Sequence, residues 1–133
     1  MCQCDDGTMP DDDPLLDFYK LMHKALGKFG MDLDMPKKLR PLLEEAGFVN
    51  IQCTVKKVPI GPWALDKTLR MAGVFLREAV VDLCAAMTSK AFRAYGMSTV
   101  ETEMISMSVR KTLKELNRHR YLDFYFWTAQ KPE

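Results

Sequence analysis

Apolar positions along the chain recur at two spacings, which predict helices in some stretches and strands in others. Over residues 15–29, apolar side chains repeat every three or four residues, which is the pattern of one helical face. Asp13 and Pro14 are typical of the N-cap and first turn of that helix. A second helix is predicted over residues 38–46, with its proline, Pro41, near the first turn and Gly47 closing it.

The second half of the chain alternates between the same two patterns. Strict alternation over residues 49–56 predicts a strand with one buried face. One long helix is predicted over residues 63–95, and Gly96 ends it. Ser98 and Glu101 have capping-box spacing and open a last helix, which Arg118 and its neighbours close. In residues 121–129 both faces are apolar or aromatic, which is typical of a strand covered on both sides.

These elements predict an α+β fold of about four helices and a two-stranded antiparallel piece. An isolated pair of strands is marginally stable, and an aromatic strand with open edges favours association with another chain. Either the helices cover both faces of this strand or a second copy completes the sheet, and we expect dimerisation. A single domain is predicted, divided into an acidic lead-in (1–13), helices (14–48), a strand (49–58), a helical lid (63–118) and a strand (121–129).

Charge and composition exclude several classes of protein. Nineteen Lys and Arg residues against 18 Asp and Glu residues leave no basic excess, so nucleic-acid binding is not expected. No apolar run approaches about 18 residues, so no membrane span is expected. The first 14 residues lack the basic and apolar regions of a signal peptide, and we expect a cytoplasmic protein with reduced thiols. The four cysteines and two histidines lack metal-site spacing, so no metal is predicted.

Four segments occur in an order that resembles a known family. They are residues 5–10 (DDGTMP), 43–48 (LEEAGF), 57–63 (KVPIGPW) and 121–132. Together they resemble the C-terminal, substrate-side part of fungal secondary-metabolism methyltransferases, which are class I enzymes that use S-adenosylmethionine. LEEAGF before a strand is common to many such enzymes, whereas its coupling to VPIGPW at this spacing is more specific.

The resemblance also implies what this chain lacks. In that family a glycine-rich turn after the first strand and an acidic residue after the second strand hold the cofactor. The seven glycines of this chain are isolated, and none forms G-x-G after a predicted strand. We therefore expect a truncated methyltransferase-like domain without a cofactor and without methyl transfer.

Two sets of side chains are candidate proton donors. His23 lies one helical turn from Tyr19, and the pair is either an acid/base patch facing a pocket or a solvated helix face. Glu78 and Asp82 are four residues apart on the long helix, where two carboxylates in an apolar setting can share a proton. The alternative for this carboxylate pair is a surface site neutralised by a basic neighbour, which is Arg70, Arg77 or Lys90.

Apolar candidates for substrate binding lie on the lid and just before it. Trp63 is either the wall of a ligand site, as the resemblance implies, or a plug in the core. Met side chains shape malleable cavities, although such faces are core by default. The predicted substrate-binding residues are Trp63, Met71, Phe75, Met104 and Met107. The residues Arg118, His119 and Arg120 are interpreted as a charge cluster at a helix C-terminus.

Two functions from different classes follow. The first is a cofactor-independent cyclase or isomerase that orients a hydrophobic polyketide or terpenoid in an apolar pocket with one or two proton donors. The second is a non-catalytic subunit or regulator that complements a separate methyltransferase-like chain. A homodimer favours the enzyme, whereas a monomer that needs a partner favours the subunit.

Overall fold

The computed structural model describes all residues, 1–133, and contains helices and one small sheet. Residues 67–95 form one continuous helical stretch that includes a π-helical turn at Met87–Ala91, so the chain has four helices in this count. The predicted mixture of about four helices and two antiparallel strands is confirmed. The elements are α1 (Pro14–Gly27), α2 (Met35–Glu45), β1 (Val49–Pro59), α3 (Lys67–Ala86), α4 (Phe92–Tyr95), α5 (Thr99–Thr112) and β2 (Tyr121–Gln130).

Helix α1 begins where its N-cap residue and its apolar spacing predict. The Asp13 carboxylate accepts a hydrogen bond from the Leu15 backbone N–H at 2.9 Å, and Pro14 occupies the first turn. One face is buried, through Leu15, Phe18, Met22 and Ala25 among others. The helix ends at Gly27 rather than at residue 29, which lies outside it.

The long helical stretch begins later than predicted and contains an irregular turn. Asp66 caps α3 by accepting from the Leu69 N–H at 2.8 Å, so the helix starts at residue 67 instead of 63. In the π-helical turn, Thr88 and Ser89 donate their hydroxyls to carbonyls one turn back, in competition with the helical ladder. Gly96 ends the stretch with a φ of 112°, which lies in the left-handed region.

The core lies among the helices. Phe18 of α1 meets Phe92 of α4 edge to face, with ring centroids 5.7 Å apart. Val80, Cys84 and Val109 complete the packing from α3 and α5. None of the helices is both long and apolar enough to cross a lipid bilayer.

The α2 and α5 boundaries differ from the sequence prediction. Helix α2 begins at Met35, so Pro41 lies in its interior rather than near its first turn, and no α2 residue is fully buried. Helix α2 is instead hydrogen-bonded to the sheet, because Trp127 donates its indole N–H to the Pro36 carbonyl at 2.8 Å. Helix α5 ends at Thr112, six residues before the predicted end, so the 118–120 cluster lies in the segment that enters β2.

The sheet pairs β1 with β2 in antiparallel register, with Cys53 opposite Trp127. The prediction of a buried β1 face is wrong, and the helices of the chain do not cover both faces of β2. Phe124 and Phe126 are 40% and 55% exposed. The helices pack mainly on one another, so only the Tyr121 end of β2 reaches the core and the rest of the strand extends beyond it.

Helix α3 crosses the end of β1 at a glycine contact. The Gly61 N–H donates to the Gly73 carbonyl at 2.9 Å. A Cβ atom on Gly73 would lie 2.1 Å from the Gly61 carbonyl oxygen, a distance that real Cβ contacts do not show. Glycine at position 73 therefore permits the approach that places residues 59–64 beside α3.

Candidate functional site

The acidic lead-in packs along the start of β2. Gln3 and Tyr121 exchange backbone hydrogen bonds of 3.0 and 2.9 Å in an antiparallel bridge. Cys2 next to this bridge is almost fully buried, and burial raises the pKa of its thiol to about 12. The lead-in thus forms part of the folded structure and brings its acidic residues to one end of the sheet.

A buried ion pair fixes where the lead-in joins α1. Arg120 donates to the Asp13 carboxylate at 2.7 and 3.0 Å, and Arg118 donates to it at 2.6 Å. Burial acts to raise the pKa of Asp13, but the hydrogen bonds from Arg118 and Arg120 outweigh it and hold that pKa below its usual range. Arg120 also donates to the Thr112 carbonyl at 3.0 Å and to the Thr112 hydroxyl.

His119 packs against one face of the Trp63 indole. The His119 ring stacks on the indole of Trp63, with centroids 4.9 Å apart and planes 29° apart. Its Nδ1 lies 2.5 Å from the Asp6 carboxylate, and that hydrogen bond is the main reason that the pKa of Asp6 falls well below its usual range. The Trp63 N–H donates to the Arg120 carbonyl at 2.9 Å, so the indole is held at its edge and on one face.

A second polar group lies near Trp63. Tyr121 donates its hydroxyl to the Asp5 carboxylate at 2.7 Å, and the Lys57 ammonium pairs with the same carboxylate. The hydrogen bond from Lys57 lowers the pKa of Asp5, and the same bond raises the pKa of Lys57. The hydrogen bond to Asp5 also raises the pKa of Tyr121. At neutral pH the group therefore holds one carboxylate, one ammonium and one neutral hydroxyl.

These side chains stand at the edge of a cleft of about 360 Å³, which we name the Trp63 cleft. Its lining surface is almost entirely apolar, and the polar atoms of Asp5, Lys57 and Tyr121 contribute almost none of it. Trp63 and the exposed Leu65 lie on the apolar side. The lining residues are Asp5, Lys57, Pro59, Trp63, Ala64, Leu65, Asp66, Leu69 and Tyr121. A concave and predominantly apolar surface is typical of a small-molecule site.

The predicted proton donors do not form one site in the structure. Tyr19 is 7% exposed and packs edge to face on Phe18, and burial raises its pKa above its usual range. His23, one turn along, is half-exposed and lies beside Asp32 and Asp34. The ligand atoms of these three residues lie within 4.8 Å of one another, but each carboxylate already pairs with a lysine.

The carboxylates predicted on the long helix lie on its surface. Glu78 is exposed and forms an ion pair with Arg77 at 3.0 Å, which is the neutralised arrangement considered as the alternative. Asp82 is also exposed. Neither side chain lines the Trp63 cleft.

Of the predicted substrate-binding residues, only Trp63 lines this cleft. Met104 lines a different cleft of about 490 Å³ between α1 and α5, together with Phe18 and Ile105. Met71, Phe75 and Met107 are strongly exposed and do not line the Trp63 cleft.

Sequence reasoning missed the polar residues of the site. The interpretation of His119 as part of a helix C-terminal cluster is wrong, because α5 ends before it and the ring stacks on Trp63. A signal was nevertheless present: three of the four resemblance segments, 5–10, 57–63 and 121–132, supply Asp5, Lys57, Trp63 and Tyr121 to one cleft.

The residues present do not fit an S-adenosylmethionine site. Class I enzymes bind the cofactor at the carboxyl ends of parallel strands, at a glycine-rich turn, whereas this sheet holds one antiparallel pair. The glycine that follows β1, Gly61, is packed against Gly73 and donates its N–H there. The N–H of Gly61 is therefore not free to bind a ligand.

Comparison with known proteins shows where similar sequences occur. Methyltransferase pytC of Aspergillus terreus is 29% identical over 129 residues, which cover 96% of this chain and 40% of that protein. Secondary metabolism regulator LAE1 of Cochliobolus heterostrophus is 29% identical over 133 residues, covering 98% of this chain and 43% of that protein. Probable methyltransferase tdiE of Emericella nidulans is 27% identical over 132 residues, covering 96% of this chain and 41% of that protein.

No protein-family model and no solved structure matches the chain. The chain spans about 40% of the length of the curated relatives that it matches.

Proposed function

We propose that this chain, a partial homologue of fungal secondary-metabolism methyltransferases, binds a hydrophobic small molecule in the Trp63 cleft. We propose further that it cyclises or isomerises that molecule without methyl transfer. One observation carries the proposal. The apolar Trp63 cleft has an indole wall held by His119 and by the Arg120 carbonyl, and Lys57, Asp5 and Tyr121 are among its lining residues.

The apolar wall and the polar group have different tasks. The wall folds a flexible polyene or polyketide into one conformation, which removes part of the entropic barrier to ring closure. Lys57 donates a hydrogen bond to a carbonyl oxygen of the substrate and stabilises the charge that develops there in the transition state. Because Asp5 raises the pKa of Lys57, the ammonium form persists at and above neutral pH.

An internal cyclisation or isomerisation balances without a co-reactant. The bonds that form and break belong to the substrate, and product and substrate have equal mass. The Tyr121 hydroxyl and the Asp5 carboxylate hold Lys57 in place and need not change protonation state during the reaction. Trp63 is therefore proposed as a substrate-binding residue and Lys57 as the catalytic residue.

The proposal is tested by product formation with and without S-adenosylmethionine. The purified chain is incubated with linear polyenes that carry a conjugated ketone, and products are followed by liquid chromatography and mass spectrometry. We expect an isomer of unchanged mass whose yield does not respond to S-adenosylmethionine. Lys57→Met is expected to lower the rate by ~10-fold or more, since removing one preorganised donor typically costs ~10²-fold in kcat.

Lys56→Met is the matched control, because Lys56 is exposed on the same strand and is absent from the cleft lining. Its rate is expected to equal that of the wild type. A product heavier by one methyl group, or saturable binding of S-adenosylmethionine measured by calorimetry, would contradict the proposal.

The quaternary structure is part of the proposal, and we propose a homodimer. The Gln3 bridge occupies only the start of the outer edge of β2, and the backbone of Tyr125 faces that edge further along. With Phe124 and Phe126 exposed, β2 offers both an open edge and an apolar face. A second copy that pairs with β2 covers both.

Light scattering after gel filtration tests whether the chain is a dimer, since a dimer has twice the 15.3 kDa of one chain. Tyr125→Pro removes an edge N–H and is expected to give monomers, whereas Tyr125→Phe keeps the N–H and the dimer. A wild-type monomer that binds a methyltransferase-like chain through β2 would instead support the second candidate function, a non-catalytic subunit. A monomer that binds neither contradicts both.

We also propose a cytoplasmic site of action. All four cysteines are free thiols in the structure, which suits a reducing compartment. Imaging of a tagged chain in the producing cell, together with thiol labelling of the isolated protein, tests this assignment. Accumulation outside the cytoplasm would contradict it.

A further inference from the structure

We infer that the chain has a second ligand site, which binds a small phosphate monoester through Arg93 and Arg110. The site is a cleft of about 370 Å³ between α5 and the helical stretch 67–95, and we name it the α5 cleft. None of its lining residues lines the Trp63 cleft. Only one of its nine lining residues, Ala85, is apolar, so this cleft suits a polar ligand. The inference therefore does not depend on the function proposed above.

The two arginines that line the α5 cleft have no partner within the chain. The chain has seven arginines, and each of the other five donates to a carboxylate or to a backbone carbonyl. Arg93 and Arg110 are exposed and form neither a hydrogen bond nor an ion pair with the protein. Their guanidinium groups therefore keep every N–H donor for a ligand, and the planar fork of these donors matches the oxygens of a phosphate.

The chain reversal at Gly96 directs both arginines toward the middle of the α5 cleft. Helix α5 packs back along the stretch 67–95 and contacts α4, the π-helical turn and α3, so the two run antiparallel. Side chains of a helix lean toward the N-terminus of that helix. Arg93 lies in the last turn of α4 and Arg110 in the last turn of α5. Each arginine therefore leans from its own end of the cleft toward the centre.

A serine precedes each of these arginines by four residues. Ser89 precedes Arg93, Ser106 precedes Arg110, and all four residues line the α5 cleft. Residues four positions apart lie on one helical face, so each guanidinium leans over the serine of its own helix. The Ser89 hydroxyl donates to the Ala86 carbonyl, whereas the Ser106 hydroxyl donates to no carbonyl or carboxylate of the chain. Ser106 can therefore add a hydroxyl donor between the two guanidinium groups.

The charge of the α5 cleft favours an anion. Glu103 is the one acidic side chain among the lining residues, and it forms no ion pair with Arg93 or Arg110. Two positive charges and one negative charge leave the lining with a net charge of +1, which is also the formal net charge of the whole chain. A phosphate monoester, with a charge of about −1.5 to −2 at pH 7, is attracted to such a site.

The arrangement of donors selects the class of anion. Two guanidinium forks that approach from opposite ends, with a hydroxyl between them, place donors in three dimensions, which suits a tetrahedral phosphate better than a planar carboxylate. The cleft volume of about 370 Å³ also lies in the range of sites that hold organic ligands. The ligand therefore has a phosphate group on a small organic body.

NMR titration of the ¹⁵N-labelled chain tests the site, because backbone amide signals report where a ligand binds. The probes are phenyl phosphate, inorganic phosphate and benzoate, each titrated at pH 7 in physiological salt. We expect saturable shifts confined to residues 85–93 and 99–110, which carry the lining residues. Phenyl phosphate is expected to bind ~3–10-fold more tightly than benzoate, since it forms at least one more charge-assisted hydrogen bond.

Four variants identify the groups responsible. Arg93→Met and Arg110→Met are each expected to weaken phenyl phosphate binding by ~3–10-fold, the effect of one charge-assisted hydrogen bond at an exposed site. Glu103→Gln removes a repulsion and is expected to tighten binding by ~2–3-fold. Arg77→Met is the matched control, because it removes the same charge from the same helical stretch outside the cleft, and it is expected to change nothing. Circular dichroism of each variant confirms that the fold is retained.

The outcomes that overturn the inference are distinct. One phosphate held between two arginines requires both, so a loss of affinity in only one arginine variant contradicts it. An equal loss in Arg77→Met, or shifts that spread over the surface without saturating, would show general attraction to positive charge instead. Tighter binding of benzoate than of phenyl phosphate contradicts the assignment to phosphate. Glu103→Gln tests the site independently if an arginine variant fails to fold, and unchanged affinity in it contradicts the inference.

Discussion

The Asp13 carboxylate and the Arg120 guanidinium lie 2.7 Å apart, although the two residues are 107 positions apart in the sequence. Both side chains are almost fully excluded from water. One oxygen of Asp13 caps α1 through the Leu15 N–H, and the other oxygen accepts from Arg120. The Arg120 carbonyl in turn accepts the Trp63 N–H, so this ion pair links the start of α1 to the wall of the Trp63 cleft.

Asp13→Asn is expected to destabilise the protein by about 3–5 kcal/mol. The amide keeps the shape of the carboxylate but leaves the guanidinium of Arg120 buried without a counter-charge. Urea unfolding followed by circular dichroism measures the change. Asp17→Asn on the exposed face of the same helix is the control and is expected to cost less than about 0.5 kcal/mol. A loss below about 1 kcal/mol for Asp13→Asn would contradict this account.

Stability is expected to fall in acid, with Asp13 as a main contributor. Its pKa is lower in the folded chain than in the unfolded chain, where it is about 3.9. The stabilisation is therefore present above that unfolded value and is lost as the pH falls through the folded pKa. Urea titrations between pH 6 and pH 2 measure the fall. In Asp13→Asn the fall should be shallower, and an unchanged slope would mean that other carboxylates account for it.

Gly73→Ala is expected to destabilise the chain by about 1–3 kcal/mol or more. The added methyl group would overlap the carbonyl of Gly61, which is backbone and has no rotamer by which to move away. Gly27→Ala serves as the control, since nothing lies within 4 Å of its added Cβ and alanine favours a helix by about 0.5–1 kcal/mol. Thermal unfolding should move down for the first variant and slightly up for the second. Equal shifts for both would disprove the close contact.

Ser98→Ala is expected to cost about 1 kcal/mol. Ser98 and Glu101 form a reciprocal capping box, with the Glu101 N–H donating to the serine hydroxyl at 3.2 Å and the Ser98 N–H donating to the Glu101 carboxylate at 2.8 Å. Chemical denaturation measures the loss. Ser108→Ala lies within the same helix on an exposed position and should be neutral or slightly stabilising. Similar losses for the two variants would rule out a specific role for the cap.

Local features of the fold were predicted well where short-range chemistry decides them. The Asp13 and Ser98 caps and the left-handed Gly96 each depend on residues within one or two turns. The start of β2 at Tyr121 also agrees with the prediction. Alternation of apolar residues in β2 could show that both faces are apolar, but it carries no information on what covers them. The exposure of Phe124 and Phe126 therefore had to be seen in three dimensions.

The Trp63 cleft likewise combines features that nearby residues specify with contacts that they do not. The helices, the two strands, the resemblance and the candidate role of Trp63 could be predicted from the sequence, because each depends on residues that are near in sequence or on a local motif. The contacts of Lys57 and Tyr121 with Asp5, from which they are 52 and 116 positions away, became apparent only in the folded chain. Spacing along a chain specifies neighbours only within one helix or strand. Contacts between distant segments form only when the whole chain folds and buried groups such as Asp13 and Arg120 pair with one another.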